Sequence, residues 1–324
     1  MTPRSSSLVS IVVPAFNEAG GLAEFAREIQ LVMIKENVAY EVVFIDDGSS
    51  DTTWQCIRDV SAQHPEFRGV RLSRNFGKEA ALSAGLDAAR GGAVIIMDGD
   101  LQHPPSLVPR MISAWRNDDA DIVDAIKENR GEESTLSKLR AIAFYRTLKY
   151  LSGHNLEGLS DFKLLDRVVV DKLRTLEERN RFFRGMVAWM GYRHVQIPFS
   201  VQGRNSGQSS WSLWKLSWLA IGAITSFSTL PLHFSTLAGV IFAIAAFLLG
   251  MQTLYVWLAG QAVAGFTTVI LLLLIIGSVV LLSVGVIGEY VAKIYHEVKR
   301  RPVYVVSETI ESDAVNKASP TNPT

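Results

Sequence analysis

The chain is poor in cysteine, has no net charge, and contains one long stretch with no charged residue of either sign. Among its 324 residues there is one cysteine, Cys56. No disulfide can therefore form within the chain, and we expect a reducing compartment. Cys56 falls in a predicted helix, where packing as a small hydrophobic residue is favoured over a reactive thiol. Lys and Arg total 32, as do Asp and Glu, so the overall charge gives no reason to expect nucleic-acid binding.

No Asp, Glu, Lys or Arg occurs between Leu216 and Ile287. This region exceeds twice the roughly 20 apolar residues that one helix needs to cross a bilayer. We therefore predict two transmembrane helices, at about 232–258 and 266–290, within a membrane region 230–292. Basic residues follow it at Lys293, Lys299, Arg300 and Arg301. The positive-inside rule then predicts a multi-pass membrane protein with its N-terminal domain and both termini in the cytoplasm.

The segments at the two ends of the chain carry weaker signals. The apolar run at residues 8–13 is too short for a signal peptide and ends at Pro14, so we expect no cleaved leader. At the other end we expect residues 293–324 to form a cytoplasmic basic segment and a tail that is disordered beyond Glu308.

Tryptophans at helical spacing precede the apolar region. They predict an amphipathic juxtamembrane helix over residues 211–229 that lies in the membrane interface, a core helix being the alternative. The three tryptophans are Trp211, Trp214 and Trp218.

Strand-like and helix-like patterns alternate along residues 8–130. This alternation predicts an α/β domain with a largely parallel sheet, which binds ligands at the carboxyl ends of its strands. The predicted strands are 9–14, 40–45, 70–72, 93–97 and 121–125, and the predicted helices are 20–37, 52–63, 77–89 and 137–152.

Acidic and amide side chains follow three of the predicted strands. Asp98-Gly99-Asp100 places two carboxylates one residue apart, an arrangement that suits a hard divalent cation and its oxygen ligands. Helix capping is the alternative role for Asn17 and Asp47, and a solvated turn is the alternative for Asp98-Gly99-Asp100, whereas three clusters at one edge of a sheet predict a ligand site. They are Asn17 with Glu18, Asp46 with Asp47, and Asp98 with Asp100.

Four motifs occur in order: VVPAFNE, IDDGSSD, RNFGKEAALSAGLDAARG and MDGDLQHPP. Together they resemble the family-2 glycosyltransferases, whose fold is GT-A, a Rossmann-like nucleotide-sugar domain. GLSDFKLLDR, NRFFRGMVAWMGY and GRNSGQSSWSLWKL follow. With two predicted spans, they resemble the polyprenyl-phosphate branch, which includes dolichyl-phosphate mannose synthases and the bactoprenol glucosyltransferases of O-antigen modification. The resemblance covers about residues 8–300 and implies a catalytic domain over residues 1–210.

The resemblance also implies the residues of the donor site. Those that would border the nucleotide or sugar are Pro14, Ala15, Asn17, Glu18, Asp46, Asp47, Lys78 and Asp98. Asp100 and Gln102 would ligate Mg²⁺ or Mn²⁺. Three carboxylates are implied as catalytic residues, namely Asp98, Asp100 and Asp161.

The acceptor site is implied to be basic. Guanidinium groups suit phosphate oxygens in both geometry and charge. The residues placed around the acceptor phosphate are Arg181, Arg184, Arg204 and Ser209. Many relatives carry lysine where this chain has Ser210, so one cation of that site is missing here.

The implied reaction is inverting transfer of a hexose, glucose from UDP-glucose, to undecaprenyl or another polyprenyl phosphate. The metal would offset charge on the departing nucleoside diphosphate while an acceptor phosphate oxygen attacks the opposite face of the anomeric carbon. That phosphate is largely ionised at pH 7. Asp161 is therefore expected to orient the acceptor or sugar, with proton abstraction as the alternative.

Other readings differ in the donor or in the class of protein. GDP-mannose, a UDP-aminoarabinose derivative or UDP-GlcNAc would give the same reaction type. A processive polysaccharide synthase is disfavoured because the chain has no QxxRW segment. An inactive membrane scaffold is disfavoured by the intact acidic residues. Gly239, Gly277 and Gly285 would permit helix contacts in a homo-oligomer, lipid packing being the alternative.

Overall fold

The computed structural model describes residues 4, 7–117, 120–127, 159–176, 178–179, 181–199, 230–260 and 265–311. Two compact units divide the chain: one contains residues 1–145, 154–209 and 301–324, and the other contains residues 146–153 and 210–300. The predicted helices at 137–152 and 211–229 lie outside the described residues.

An eight-stranded mixed sheet forms the framework of the first unit, in the strand order β7-β5-β6-β4-β1-β2-β3-β8. A short 3₁₀ turn at Pro105–Leu107 precedes the fourth helix. The elements of this unit are β1 (Val9–Ala15), α1 (Ala19–Lys35), β2 (Tyr40–Asp46), α2 (Thr53–Gln63), β3 (Phe67–Leu72), α3 (Lys78–Ala88), β4 (Ala93–Ile96), α4 (Val108–Asn117), β5 (Ile122–Lys127), β6 (Leu159–Asp166), α5 (Arg167–Thr175), α6 (Phe183–Trp189), β7 (His194–Phe199) and β8 (Val306–Ile310).

The centre of the sheet is parallel, as the alternating pattern predicted. β1 pairs in parallel with β2 and with β4, and β2 pairs in parallel with β3. Every residue of β1 is buried, because Ile11 and Val13 enter one apolar core while Val12 enters the core on the opposite face. Strands buried on both faces read as continuous apolar runs, which is why the sequence identified them.

β6 is a strand that sequence analysis did not predict. It lies antiparallel between β4 and β5. Its polar residues Asp161 and Lys163 are buried, and alternate with the apolar side chains of Phe162 and Leu164. An alternation of apolar and polar residues is a strand signal. The charges of Asp161 and Lys163 obscured that signal here, because charged residues are seldom fully buried.

β8 corrects the expectation for the segment after the apolar helices. This strand runs to Ile310, past the point at which disorder was expected, and pairs antiparallel with β3 at the edge of the sheet. The indole N–H of Trp54 donates to Glu308 Oε2 at 2.9 Å, and Ser73 N–H donates to the Val305 carbonyl at 2.8 Å. The apolar helices are therefore followed by a segment that belongs to the sheet.

The second unit contains two long apolar helices, α7 (Leu230–Leu258) and α8 (Phe266–Val298). Ser235–Val256 and Leu272–Tyr295 are long and apolar enough to cross a membrane, with mean hydropathies of 2.1 and 2.4. The apolar span of α8 was expected to end at residue 290, but the helical backbone continues to Val298 and so includes part of the basic segment.

Candidate active site

The sheet register brings two of the predicted catalytic carboxylates together. Ile96 of β4 lies opposite Lys163 of β6, so Asp98 follows the last paired residue of β4 by two positions and Asp161 precedes its partner in β6 by two positions. Lys78 Nζ lies 2.6 Å from Asp98 Oδ1 and 3.0 Å from Asp161 Oδ2. One ammonium group therefore bridges residues that are 63 positions apart in the sequence.

Lys78 is the first residue of α3 and follows Gly77, whose φ of +96° lies in a region that glycine adopts without strain. Burial alone would lower the pKa of Lys78, but the carboxylates of Asp98 and Asp161 outweigh it and raise that pKa. Lys78 therefore stays positively charged at physiological pH. It is a fixed cation at the carboxyl ends of β1 and β4.

Arg184 holds Asp161 from the other side. Its Nε donates to Asp161 Oδ1 at 2.6 Å and its Nη2 donates to Oδ2 at 2.8 Å. Burial would raise the pKa of Asp161, but the hydrogen bonds and charge of Arg184, with the charge of Lys78, hold that pKa well below its usual range. The network Lys78–Asp98–Asp161–Arg184 thus joins four predicted site residues, and we call it the site network.

Glu18, Asp98 and Asp100 form an acidic group that shares Asp98 with this network. Burial raises the pKa of Glu18 to about 7, and the charges of Asp100 and Asp98 contribute to the increase. The buried oxygen Oε2 of Glu18 has no hydrogen-bond partner among the described residues. Carboxylates that repel one another and an unsatisfied oxygen fit a divalent cation.

Asp100 and Gln102, the two predicted metal ligands, are joined by a hydrogen bond. Gln102 donates its backbone N–H to Asp100 Oδ1 at 3.0 Å, across Leu101 with φ +59°. In the part of the chain that the structure describes, no three His, Cys, Asp or Glu side chains make a ready cage for a metal. A cation here would therefore take further oxygen ligands from substrate or water.

His103 is a site residue that sequence analysis missed. Its ring is buried, and Nδ1 accepts the backbone N–H of Asp98 at 3.0 Å, which places the proton of a neutral ring on Nε2. The ring stacks on Phe162 with centroids 4.8 Å apart. His103 thereby fixes the backbone at Asp98, a role that only the fold reveals, although its motif was noted.

Asn17 links two of the loops at the sheet edge. It adopts φ +55° two residues beyond β1, which ends with the buried residues Pro14 and Ala15. Its side-chain oxygen accepts the N–H of Ser50 at 2.9 Å, and its own N–H donates to Ser49 Oγ at 3.0 Å. Contact of these residues with a nucleotide stays a prediction.

Asp46 and Asp47 hydrogen-bond within the protein. Asp46 is fully buried, accepts the N–H of Ser49 at 2.9 Å through Oδ1, and pairs with Arg71 at 3.2 Å through Oδ2. Asp47 accepts the N–H groups of Phe76 at 2.7 Å and Gly77 at 2.9 Å. Both therefore shape the loops around the site, and their predicted contact with base or ribose remains untested.

The predicted acceptor residues are only partly brought together. Arg184 joins the site network, whereas Arg181 donates to the backbone carbonyls of Glu178 and Leu176, each at 3.1 Å. Arg204, Ser209 and Ser210 lie outside the described residues.

A second buried polar cluster lies two residues along β6 from Asp161. Lys163 forms an ion pair with Asp124, and each is 1% exposed. His194 Nδ1 lies 2.7 Å from the other oxygen of Asp124. Burial would raise the pKa of Asp124, but the hydrogen bond from His194 and the charge of Lys163 lower it. Residue spacing does not indicate this cluster.

Comparison with similar proteins places this chain in a family. The model of Glycosyl transferase family 2 matches residues 10–174. An uncharacterized glycosyltransferase of Synechocystis is 39% identical over 93% of this chain and 95% of its own length. The SfII prophage-derived bactoprenol glucosyl transferase of Shigella flexneri is 37% identical over 93% of this chain and 98% of its own length. A glucosyl-3-phosphoglycerate synthase of Mycobacterium tuberculosis, solved with UDP, has a TM-score of 0.46 and 18% identity over 69% of this chain and 80% of that one.

The mixed sheet with its flanking helices is the GT-A fold that the motifs predicted, and the relatives match nearly the full chain. The chain belongs to glycosyl transferase family 2.

Proposed function

We propose that this chain transfers glucose, with inversion, from UDP-glucose to a polyprenyl phosphate at the cytoplasmic face of the inner membrane. The site network carries the proposal, because it sets the fixed cations Lys78 and Arg184 beside two carboxylates at the carboxyl edge of the sheet. Relatives named bactoprenol glucosyl transferase, matched along nearly the whole chain, support the choice of sugar and lipid.

The acidic group would receive the donor's diphosphate through a divalent cation, Mg²⁺ or Mn²⁺. Asp100 and Gln102 would hold that ion, with the charges of Glu18 and Asp98 nearby. When bound, the ion supplies positive charge that stabilises the departing nucleoside diphosphate. Asp98, whose side chain contacts Lys78 and whose backbone N–H donates to His103, would accept hydrogen bonds from ribose or sugar hydroxyls.

Arg184 would meet the acceptor phosphate, and Lys78, which the resemblance assigns to the nucleotide side, would add its charge from the same carboxylate, Asp161. A phosphomonoester carries about −1.5 to −2 charges at neutral pH, and its ionised oxygen is already nucleophilic. No proton has to be removed before attack on the anomeric carbon. Asp161, whose pKa is held low by Arg184 and Lys78 despite burial, is a weak base, so its role is to orient these two cations.

The two apolar helices would anchor this chemistry at the lipid surface. Each is long enough to cross a bilayer, and α8 leads into Lys299, Arg300 and Arg301. By the positive-inside rule these basic residues would lie in the cytoplasm. β8 follows them in the chain and belongs to the sheet, so the sheet domain would lie in the cytoplasm too.

A donor panel tests the proposal. The purified full chain is given undecaprenyl phosphate, Mg²⁺ or Mn²⁺, and one radiolabelled donor at a time, and label in a butanol extract is counted. UDP-glucose is expected to label the lipid most. A higher yield with GDP-mannose, UDP-GlcNAc or a UDP-aminoarabinose derivative would replace the sugar but keep the reaction. No label with any donor would favour an inactive scaffold and overturn the proposal.

A further inference from the structure

Glu79 connects two helices of the active site. It lies in the first turn of α3, directly after Lys78, and is partly buried. Its Oε2 accepts the backbone N–H of Phe183, the first residue of α6, at 2.8 Å. The first N–H groups of a helix have no intrahelical partner. Glu79 supplies one here, so the start of α3 holds the start of α6.

The residue after Phe183 is Arg184, which donates two hydrogen bonds to Asp161. Adjacent residues of α3 therefore act on the site network by two routes. Lys78 contacts Asp98 and Asp161 directly, whereas Glu79 acts through the backbone that carries Arg184. Elsewhere α6 is held by packing, since the side chains of Phe183, Met186 and Val187 lie in the apolar core.

The charge of Glu79 is unfavourable at this place. Burial raises the pKa of Glu79 and the nearby Asp161 raises it further, while the Phe183 hydrogen bond, Arg184 and Lys78 oppose the increase. A third carboxylate near an acceptor phosphate would also repel it. The useful property of Glu79 is therefore that its carboxylate accepts a hydrogen bond from the backbone of α6, the helix that carries Arg184.

We propose that Glu79 is a positioning residue that sets Arg184 for the acceptor phosphate through the N-terminus of α6. This inference rests on the proposed function, since it takes polyprenyl phosphate as the acceptor. It predicts a specific defect: removing the acceptor oxygen of Glu79 weakens use of the lipid phosphate and leaves use of the nucleotide sugar unchanged.

The test compares Glu79→Ala with Glu79→Gln in the full chain, by steady-state transfer with each substrate varied. E79A is expected to raise the KM for undecaprenyl phosphate about tenfold, because small misplacements of a binding group weaken its contacts strongly. The KM for UDP-glucose should change less than about twofold. E79Q keeps an oxygen acceptor and should stay within about threefold of wild type. If E79A does not fold, E79D, which shortens the side chain, is expected to show the same selective defect.

A matched control separates positioning from loss of stability. Asp166 Oδ1 accepts the N–H of Val168 at 2.9 Å and caps α5, about 16 Å along β6 from Asp161. D166A should lower the melting temperature at least as much as E79A while leaving the KM for undecaprenyl phosphate unchanged. An equal rise in that KM for D166A would overturn the positioning role.

A double-mutant cycle with Arg184 gives the sharpest readout. If Glu79 acts through Arg184, E79A should add no further loss to R184A, whereas independent effects would add. If the wild type is active, additive losses in the cycle or an unchanged KM for undecaprenyl phosphate in E79A would overturn the positioning role. The proposed function would then still stand. A wild-type chain that labels no lipid overturns the proposed function as well.

Discussion

Arg184 and Asp161 face each other as a two-pronged ion pair, with Nε–Oδ1 at 2.6 Å and Nη2–Oδ2 at 2.8 Å. Such planar pairs fix both groups more firmly than a single contact does. Asp161 is 10% exposed on its side chain and also contacts Lys78 at 3.0 Å. The carboxylate therefore holds two cations in one geometry, and this arrangement decides what it can do in the reaction.

Asp161→Asn tests that arrangement. The variant keeps the shape but loses the charge that orients Arg184 and Lys78, so we expect kcat to fall about tenfold, equivalent to about 1.4 kcal/mol in the barrier, with a higher KM for the lipid phosphate. Steady-state kinetics over both substrates measures this. A near-complete loss of kcat with both KM values intact would instead identify Asp161 as the general base.

Glu18→Gln tests the acidic group through stability. The folded-state pKa of Glu18 is about 7 and the ordinary value is 4.5. Between these pH values the folded chain binds more protons than the unfolded chain, so the free energy of unfolding falls as pH rises from 4.5 to 7. The ionised group destabilises the fold above that window by at most about 3 kcal/mol.

In metal-free buffer, E18Q should therefore melt higher than wild type at pH 8 and equally at pH 4.5. The exposed Glu24 on the same helix supplies the control, E24Q, which should show no such pH-dependent difference. If E18Q melts like wild type at both pH values, the ionised Glu18 is not destabilised by its burial and by the nearby charges of Asp100 and Asp98.

Asp100→Ala tests the metal assignment. The variant should lose metal-dependent transfer. Mn²⁺ should also no longer raise its melting temperature, because a metal ion stabilises a protein only when it binds the folded state in preference to the unfolded state. Asp59→Ala, which removes an exposed carboxylate of α2, should keep both responses. Full activity of D100A with Mn²⁺ would exclude Asp100 as a ligand.

Lys163→Met tests the buried cluster in β5 and β6. Removing the ammonium group leaves the buried carboxylate of Asp124 with only His194, and breaking such a pair destabilises proteins by about 3 to 5 kcal/mol. The double variant K163M/D124L removes both buried charges and should recover at least about half of the loss. Thermal melting of the full chain in detergent measures both. Equal melting temperatures for the single and double variants would contradict the ion pair's structural role.

The parallel centre of the sheet was predictable because its strands are buried on both faces and are uniformly apolar, as in β1 and β4. β6 was not, since Asp161 and Lys163 interrupt an apolar pattern and their partners, Arg184 and Asp124, lie elsewhere in the sequence. β8 escaped for a related reason. It is a short edge strand with exposed polar residues, and its partner β3 lies more than 230 residues earlier.

Sequence analysis named the four members of the site network as residues but did not reveal their contacts. Asp98 and Asp100 follow a recognisable strand, and the resemblance to known motifs supplied Lys78, Asp161 and Arg184. No spacing revealed that Arg184 and Lys78 share the carboxylate of Asp161, because that depends on an antiparallel register between β4 and β6. Backbone contacts, such as those of Glu79 and His103, leave no residue-type pattern at all.

The requirement for an acceptor phosphate tests the account most directly. The full chain is incubated with radiolabelled UDP-glucose, a divalent cation and either undecaprenyl phosphate or undecaprenol, and label in the butanol layer is compared. If Lys78 and Arg184 bind the acceptor phosphate, undecaprenyl phosphate should be labelled, and undecaprenol should show no label above background. Equal labelling of both lipids, or no labelling of the phosphate, would contradict the account.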